Sequence, residues 1–242
     1  MYEAVHVEAG GETTPGRFAL TVSRAGFDGM VVRNRQSAMV EVEADPLAER
    51  YGIDVVRGIE IAAREKARAS GTIGNRRPEA EILLLRGRDP ELNRFAVESP
   101  RVDVLADPMG GEGDVNHVIA EAAARNEVAL EVDLGPVLRE TGGTRVRAIK
   151  RLRKLRDLIE DADAPFVVSG SPRTHLEVRG PRELLAVGAE IGFDRGQVRD
   201  GLAAWGRIVD RTRARRDPSR VAPGVRIEDD QEGVAQDRSE SN

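Results

Sequence analysis

Short apolar runs along this chain alternate with longer stretches in which apolar residues recur every three or four positions. The runs suit buried parallel strands and the longer stretches suit helices that cover them, so the chain reads as repeated βα units. Strands are expected at residues 2–7, 29–33, 54–61, 81–85, 102–105, 127–132 and 166–169, and residues 38–42 suit either a further short strand or a helix end. Helices are expected at 17–25 behind Thr14-Pro15, at 91–98 behind Asp89-Pro90, and at 115–125 with Asp114 as cap. Three more fit residues 143–161, 181–187 and 194–209. Residues 64–77, rich in Arg and containing Gly71 and Gly74, read as a loop. Seven or eight strands interleaved with helices favour a closed TIM-like (β/α) barrel, an α/β single domain over residues 1–211. Residues 212–242 lose apolar periodicity and are expected to form a polar, disordered tail.

Composition narrows the chemistry. The 242 residues include no cysteine, which excludes disulfides, thiol nucleophiles and thiolate metal sites. The N-terminus lacks the basic and apolar segments of a secretory signal, and no run approaches the roughly 20 apolar residues of a spanning helix. A cytoplasmic location is the resulting expectation. Only Lys66, Lys150 and Lys154 among 37 basic residues are lysines, and 42 residues are acidic, a usage resembling that of proteins from salt-loving archaea. Against a net charge of −5, seven basic side chains crowd between Arg145 and Arg156. Val146, Ile149, Leu152, Leu155 and Leu158 seat one face of that helix on a core, which leaves a cationic ridge suited to an anionic partner such as RNA.

Catalytic patterns are sparse. His6, His117 and His175 are the only histidines and have no metal-binding spacing. Glu60, Asp107, Glu131 and Asp133 lie near strand ends, where barrels place chemistry. Two carboxylates and a histidine can in principle hold a divalent ion. The simpler reading is that Glu60 and Glu131 pair with arginines and close the barrel mouth. Gly110-Gly111-Glu112-Gly113 could cradle an anion before a helix, but Glu112 opposes phosphate. Ser169-Gly-Ser-Pro-Arg173 offers hydroxyls without a base to activate them.

Several pieces in order resemble archaeal ribonuclease P protein component 3, the family of the eukaryotic p30 subunit. They are Gly26-Phe27-Asp28-Gly29, Gly58-Ile59-Glu60-Ile61, Asn93-Arg94, Val102-Asp103-Val104-Leu105 with Asp107-Pro108, Val128-Ala129-Leu130-Glu131-Val132, Val168-Ser169, and Arg179 with Pro181-Arg182-Glu183-Leu184. The resemblance covers about residues 1–210 and implies a barrel related to the metal-dependent phosphoesterases of the PHP superfamily, without their histidine clusters. It implies a noncatalytic subunit of a ribozyme that removes the 5′ leader of precursor tRNA. The RNA, with Mg2+, performs the hydrolysis, and the chain itself has no catalytic residue, metal site or cofactor. The implied partners are the RNA, protein component 2 in a 2:2 heterotetramer, the other protein components, and precursor tRNA through the complex, with no membrane. Candidate RNA contacts are Arg33 and Arg35 at a strand end, Arg94 (or, structurally, an Arg94–Asp103 pair), His117, Ser169, and the group Arg173, Arg179 and Arg182. Arg147, Lys150 and Lys154 on the basic helix complete the set. The competing readings are an autonomous metal-dependent phosphoesterase and a structural barrel that binds acidic protein surfaces.

Overall fold

Strands made of uninterrupted apolar residues need cover on both faces, and in the computed structural model each is followed by a helical cover. The structure describes residues 1–7, 13–216, 220–222 and 225–226. Strand β1 (Tyr2–Val5) leads through α1 (Pro15–Ala25) to β2 (Gly29–Arg35), then α2 (Ala44–Tyr51) to β3 (Asp54–Ile61). The next units are α3 (Lys66–Arg76) and β4 (Ile82–Arg86), α4 (Pro90–Glu98) and β5 (Val104–Ala106), and α5 (His117–Asn126) and β6 (Ala129–Asp133). Helices α6 (Gly135–Arg139) and α7 (Gly142–Ala162) precede β7 (Phe166–Ser169), and a 3-10 turn at His175–Glu177 leads into α8 (Pro181–Ile191) and α9 (Arg195–Arg216). The seven strands form one parallel sheet in sequence order.

Local chemistry explains most boundaries. Thr14 caps α1 through the Arg17 amide, and Asp89 caps α4 by accepting from the Glu91 and Leu92 amides. Helix α5 is capped by Asn116, which accepts from the Ile119 amide at 3.0 Å, and not by Asp114. Residues 38–42 join neither strand nor helix: Val40 and Val42 rest half-buried against the core, and their alternation imitates a strand. The Arg- and Gly-rich segment is helical, because Ala69 and Ile73, four apart, seat α3 on the core. That burial outweighs the roughly 1 kcal/mol that each helical glycine costs.

The barrel has seven strands and is not closed by a ladder between β7 and β1. The carbonyls of Pro165 and Ser169 accept from β6-side amides, so the intervening Val168 carbonyl faces the gap. Trp205 of α9 donates its indole N–H to that carbonyl at 2.8 Å. The buried Glu3 carboxyl accepts through Oε1 from the amides of Gly170 and Ala4, both at 2.9 Å. A side chain on each side of the gap thus supplies bonds that an eighth strand would otherwise make. Helix α9 also plugs the amino-terminal end, where Ala204, Trp205, Ile208 and Val209 pack against the inward Val31, Val56, Ile82 and Val104. It runs past residue 211 to Arg216: Thr212 is buried, Arg213 bonds Asp54 and Glu81 at 2.8 Å, and Arg216 bonds the Arg77 carbonyl. These ionic contacts break the apolar periodicity without ending the helix. Beyond it, β8 (Arg220–Ala222) and β9 (Val225–Arg226) form an antiparallel pair, and the remainder of the expected tail lies outside the described residues.

Two outcomes are expected. Trp205→Ala should lower unfolding free energy by about 3–5 kcal/mol, read by denaturant titration, since it removes both the plug and the Val168 bond. A loss below about 1 kcal/mol would show that α9 is dispensable. Burial pushes the Glu3 carboxyl up to about 8, against the pull of the Gly170 and Ala4 amides. A pKa higher in the folded chain contributes stability that is full below the unfolded value and is lost as pH rises towards about 8. Glu3→Gln should therefore flatten the decline in stability over that window, measured as melting temperature against pH.

Candidate functional site

The two-residue period of the strands turns alternate side chains into the barrel. At the amino-terminal end these are apolar and meet α9. Towards the carboxyl end they become Arg33 and Arg35 on β2, Glu60 on β3, Arg86 on β4, Glu131 and Asp133 on β6, and Ser169 on β7. Arg33, Glu60, Glu131 and Ser169 are all buried. Arg33 donates to Glu60 at 2.7 Å and holds Glu131 with both terminal nitrogens. Ser169 Oγ donates to Glu131 at 2.7 Å and the Asp107 amide donates to it at 3.1 Å, which fills that carboxylate. The pairing of Glu60 and Glu131 with an arginine is thus present in the structure. Both carboxylates hold the Arg33 guanidinium yet further towards its charged form, despite burial. Burial and the Arg33 charge push His6 down to about 3, so its imidazole is neutral. Burial and Glu131 push Asp133 up to about 7.

Around this core stands a partly exposed rim. Arg35 and Arg86 lie 4.0 and 3.9 Å from Glu60, and Arg86 and Arg88 each lie 3.3 Å from Asp107. Arg139 reaches the Gly170 carbonyl at 2.8 Å, and exposed Arg173 completes the ring. The cavity they enclose is about 50 Å³, room for one or two waters. Arg86 and Arg139 gave no signal as site residues. Arg86 ends an apolar strand run and Arg139 sits on a five-residue helix, so only the barrel geometry brings them together. Gly111 and Gly113 lie against the Arg88 backbone, where a Cβ on Gly113 would come 2.7 Å from Arg88 Cα, and a Cβ on Gly110 would strike the Asp107 carboxylate. They shape the rim and do not directly open α5.

The expected RNA-contact residues fall in several places. Arg33 and Ser169 point into the barrel, Arg33 engaged through both terminal nitrogens and Ser169 through its hydroxyl, so Arg33 lies away from the rim where a strand end at residue 33 would have put it. Strand β2 continues two residues further and delivers Arg35 to the rim instead. Arg147 and Lys150 are exposed on the first turns of α7. Lys154, on the same ridge, bonds both oxygens of Asp114 at 2.6 and 2.7 Å, which offsets its charge. His117 is exposed at the start of α5, and Arg94 is exposed on α4, bonded to Glu98 at 2.8 Å. Asp103 pairs with Arg77, so the alternative Arg94–Asp103 pair does not form. Arg173 stands at the mouth, but Arg179 and Arg182 do not cluster with it. Gly180 lies beside Ala25 at the end of α1, which carries both arginines towards the opposite end of the barrel.

Removing Arg33 would leave two buried carboxylates facing each other. Arg33→Met should cost about 3–5 kcal/mol of stability, and adding Glu60→Gln with Glu131→Gln should restore part of it. Denaturant unfolding of the wild type and the two variants at one salt concentration checks this. A neutral Arg33→Met would show the fork to be energetically idle.

The family model for RNase P subunit p30 matches residues 1–217. Ribonuclease P protein component 3 of Haloarcula marismortui is 54% identical over 230 residues, covering 95% of this chain and 98% of that protein. The same component of Methanosarcina barkeri is 28% identical, covering 92% and 93%. Among solved structures, a chain of archaeal ribonuclease P with mature tRNA superposes with a TM-score of 0.81 at 22% identity, over 96% of this chain and all of that one. A histidinol phosphate phosphatase from Lactococcus lactis, complexed with zinc, L-histidinol and phosphate, shares the fold with a TM-score of 0.53 at 10% identity, over 79% and 94%. The Arg33 guanidinium already occupies the inner carboxylates, and among the described residues no group of three or more His, Asp or Glu is set to hold a metal. Seven-stranded barrel, p30 family match and haloarchaeal relatives agree, and the chain belongs to the RNase P subunit p30 family.

Proposed function

We propose that this chain, as a protein subunit of ribonuclease P, binds the enzyme's RNA and stabilises its catalytic domain together with protein component 2, in a 2:2 assembly. The observation that carries the reading is the grouping of exposed cations at one end of a p30-family barrel. Arg35, Arg88 and Arg173 stand at the rim, and Arg147, Lys150 and Arg151 lie on the adjoining start of α7. Guanidinium groups bind phosphate through short, bidentate contacts that survive screening better than long-range attraction does. Bringing folded RNA strands together costs repulsion between phosphates, and fixed cations at their surface lower the Mg2+ needed to offset it. The leader-releasing hydrolysis is then performed by the RNA and its Mg2+. The Arg33 guanidinium supports this division of labour, because it holds the oxygens of Glu60 and Glu131 that a metal ion at the barrel mouth would need. Precursor tRNA and the remaining protein components are met through the assembled complex.

Reconstitution is the direct test. Adding the chain with component 2 to the RNA should raise precursor tRNA cleavage at limiting Mg2+, and no gain over component 2 alone would overturn the proposal. Arg147→Glu with Lys150→Glu should weaken RNA binding and reduce the slope of log affinity against log salt by about 1 for each phosphate that is no longer neutralised. Unchanged affinity and slope would remove α7 from the interface.

A further inference from the structure

Beside the mouth, α7 and the loop after β5 enclose a second cavity, of about 140 Å³. This is well below the ~300–1,000 Å³ of sites for whole small-molecule ligands, and suits a single ring system. Its apolar lining is Ala148, Leu152 and Leu155 from α7 and Pro108 and Met109 from the loop after β5. Arg147 and Arg151 stand at its edge on the same helix face. Asp107 and Asp133 line its inner end. The Oδ1 atom of Asp133 accepts from the Gly135 amide at 2.8 Å, while its Oδ2 takes no hydrogen bond among the described residues. Lys150 lies in the adjoining groove, so cations continue outward from the slot.

Resting on the RNA-binding reading above, we infer that this slot receives one unpaired RNA base that carries an amino group, adenine, cytosine or guanine. The apolar walls take the base faces, the free Asp133 oxygen accepts from the amino group, and Arg147 and Arg151 meet the attached phosphates or stack on the ring. An aliphatic side chain from a protein partner would fill the walls but leave the acidic end and both guanidinium groups without partners. A paired base would not enter, because its amino edge is already engaged. Asp133, pushed up to about 7 by burial and Glu131, keeps an acceptor oxygen in either protonation state.

The test uses the full chain and fluorescent single-stranded RNA dodecamers of A, C or U. The wild type should bind A and C several-fold more tightly than U at one salt concentration. Ala148→Trp, which fills the slot, should erase that preference and weaken A binding about tenfold while leaving the salt slope unchanged, since every bound phosphate keeps its cation. Thermal melting checks its fold, and Ala148→Leu, a smaller plug, should give an intermediate loss. Equal wild-type affinity for all three RNAs would overturn the inference, as would an Ala148→Trp variant that folds and keeps the preference. So would a variant that binds RNA normally but no longer binds component 2, which would assign the slot to a protein side chain. If Arg147→Glu with Lys150→Glu still weakens RNA in those cases, the slot fails and the RNA-binding reading stands; if neither substitution affects RNA, both fail.

Discussion

A single guanidinium, buried at the carboxyl end of the barrel, governs the arrangement around it. Arg33 bridges Glu60 on β3 and Glu131 on β6, strands separated by two others across the barrel. Each carboxylate alone would be costly to bury, and the pair would repel. With the fork between them, inward charges become a cross-brace, and Ser169 and the Asp107 amide take the remaining lone pairs of Glu131. The rim then follows. Arg35 and Arg86 compensate the surplus negative charge from outside, and the neutrality of His6 follows from its burial beside the same cation.

The opposite end is held by different means. Helix α9 combines an apolar plug with ionic staples to the beginnings of β3 and β4. It also answers the hydrogen-bonding demand of an open edge, which is the usual hazard of an unclosed sheet. Glu3 meets part of that demand from the β1 side, and the His6 amide donates to the Pro172 carbonyl at 2.9 Å across the same gap. The unpartnered Oε2 of Glu3 is the cost of using a carboxyl group where a backbone ladder would have left no orphan atom.

Much of this was legible in the residues. Apolar runs and caps located all seven strands, and the carboxylates at strand ends pointed to arginine partners. What escaped was set by long-range geometry. The sequence pattern ended β2 at Arg33, and a shift of only two residues in strand length decides whether that side chain lies at the rim or inside. Helix α3 was hidden because two glycines outweigh Ala69 and Ile73 in any local reading, though tertiary burial reverses the balance. The last turns of α9 were hidden because Arg213 and Arg216 are held by partners more than a hundred residues away. The grouping of Arg173 with Arg179 and Arg182 failed for the related reason that closeness in sequence ends where the chain leaves the mouth and descends the barrel wall. The slot beside α7 had no sequence signature, since its walls come from separate βα units.

A covalently attached cation cannot dissociate. A barrel whose mouth is braced by a metal changes charge and shape with metal supply, and a chelator can empty it. The Arg33 brace has fixed stoichiometry, and its pKa lies far above any physiological pH. Under the proposed RNA-binding role, the consequence is a partner of constant architecture: changes in Mg2+ concentration would act on the RNA, while the Arg33 brace keeps its charge.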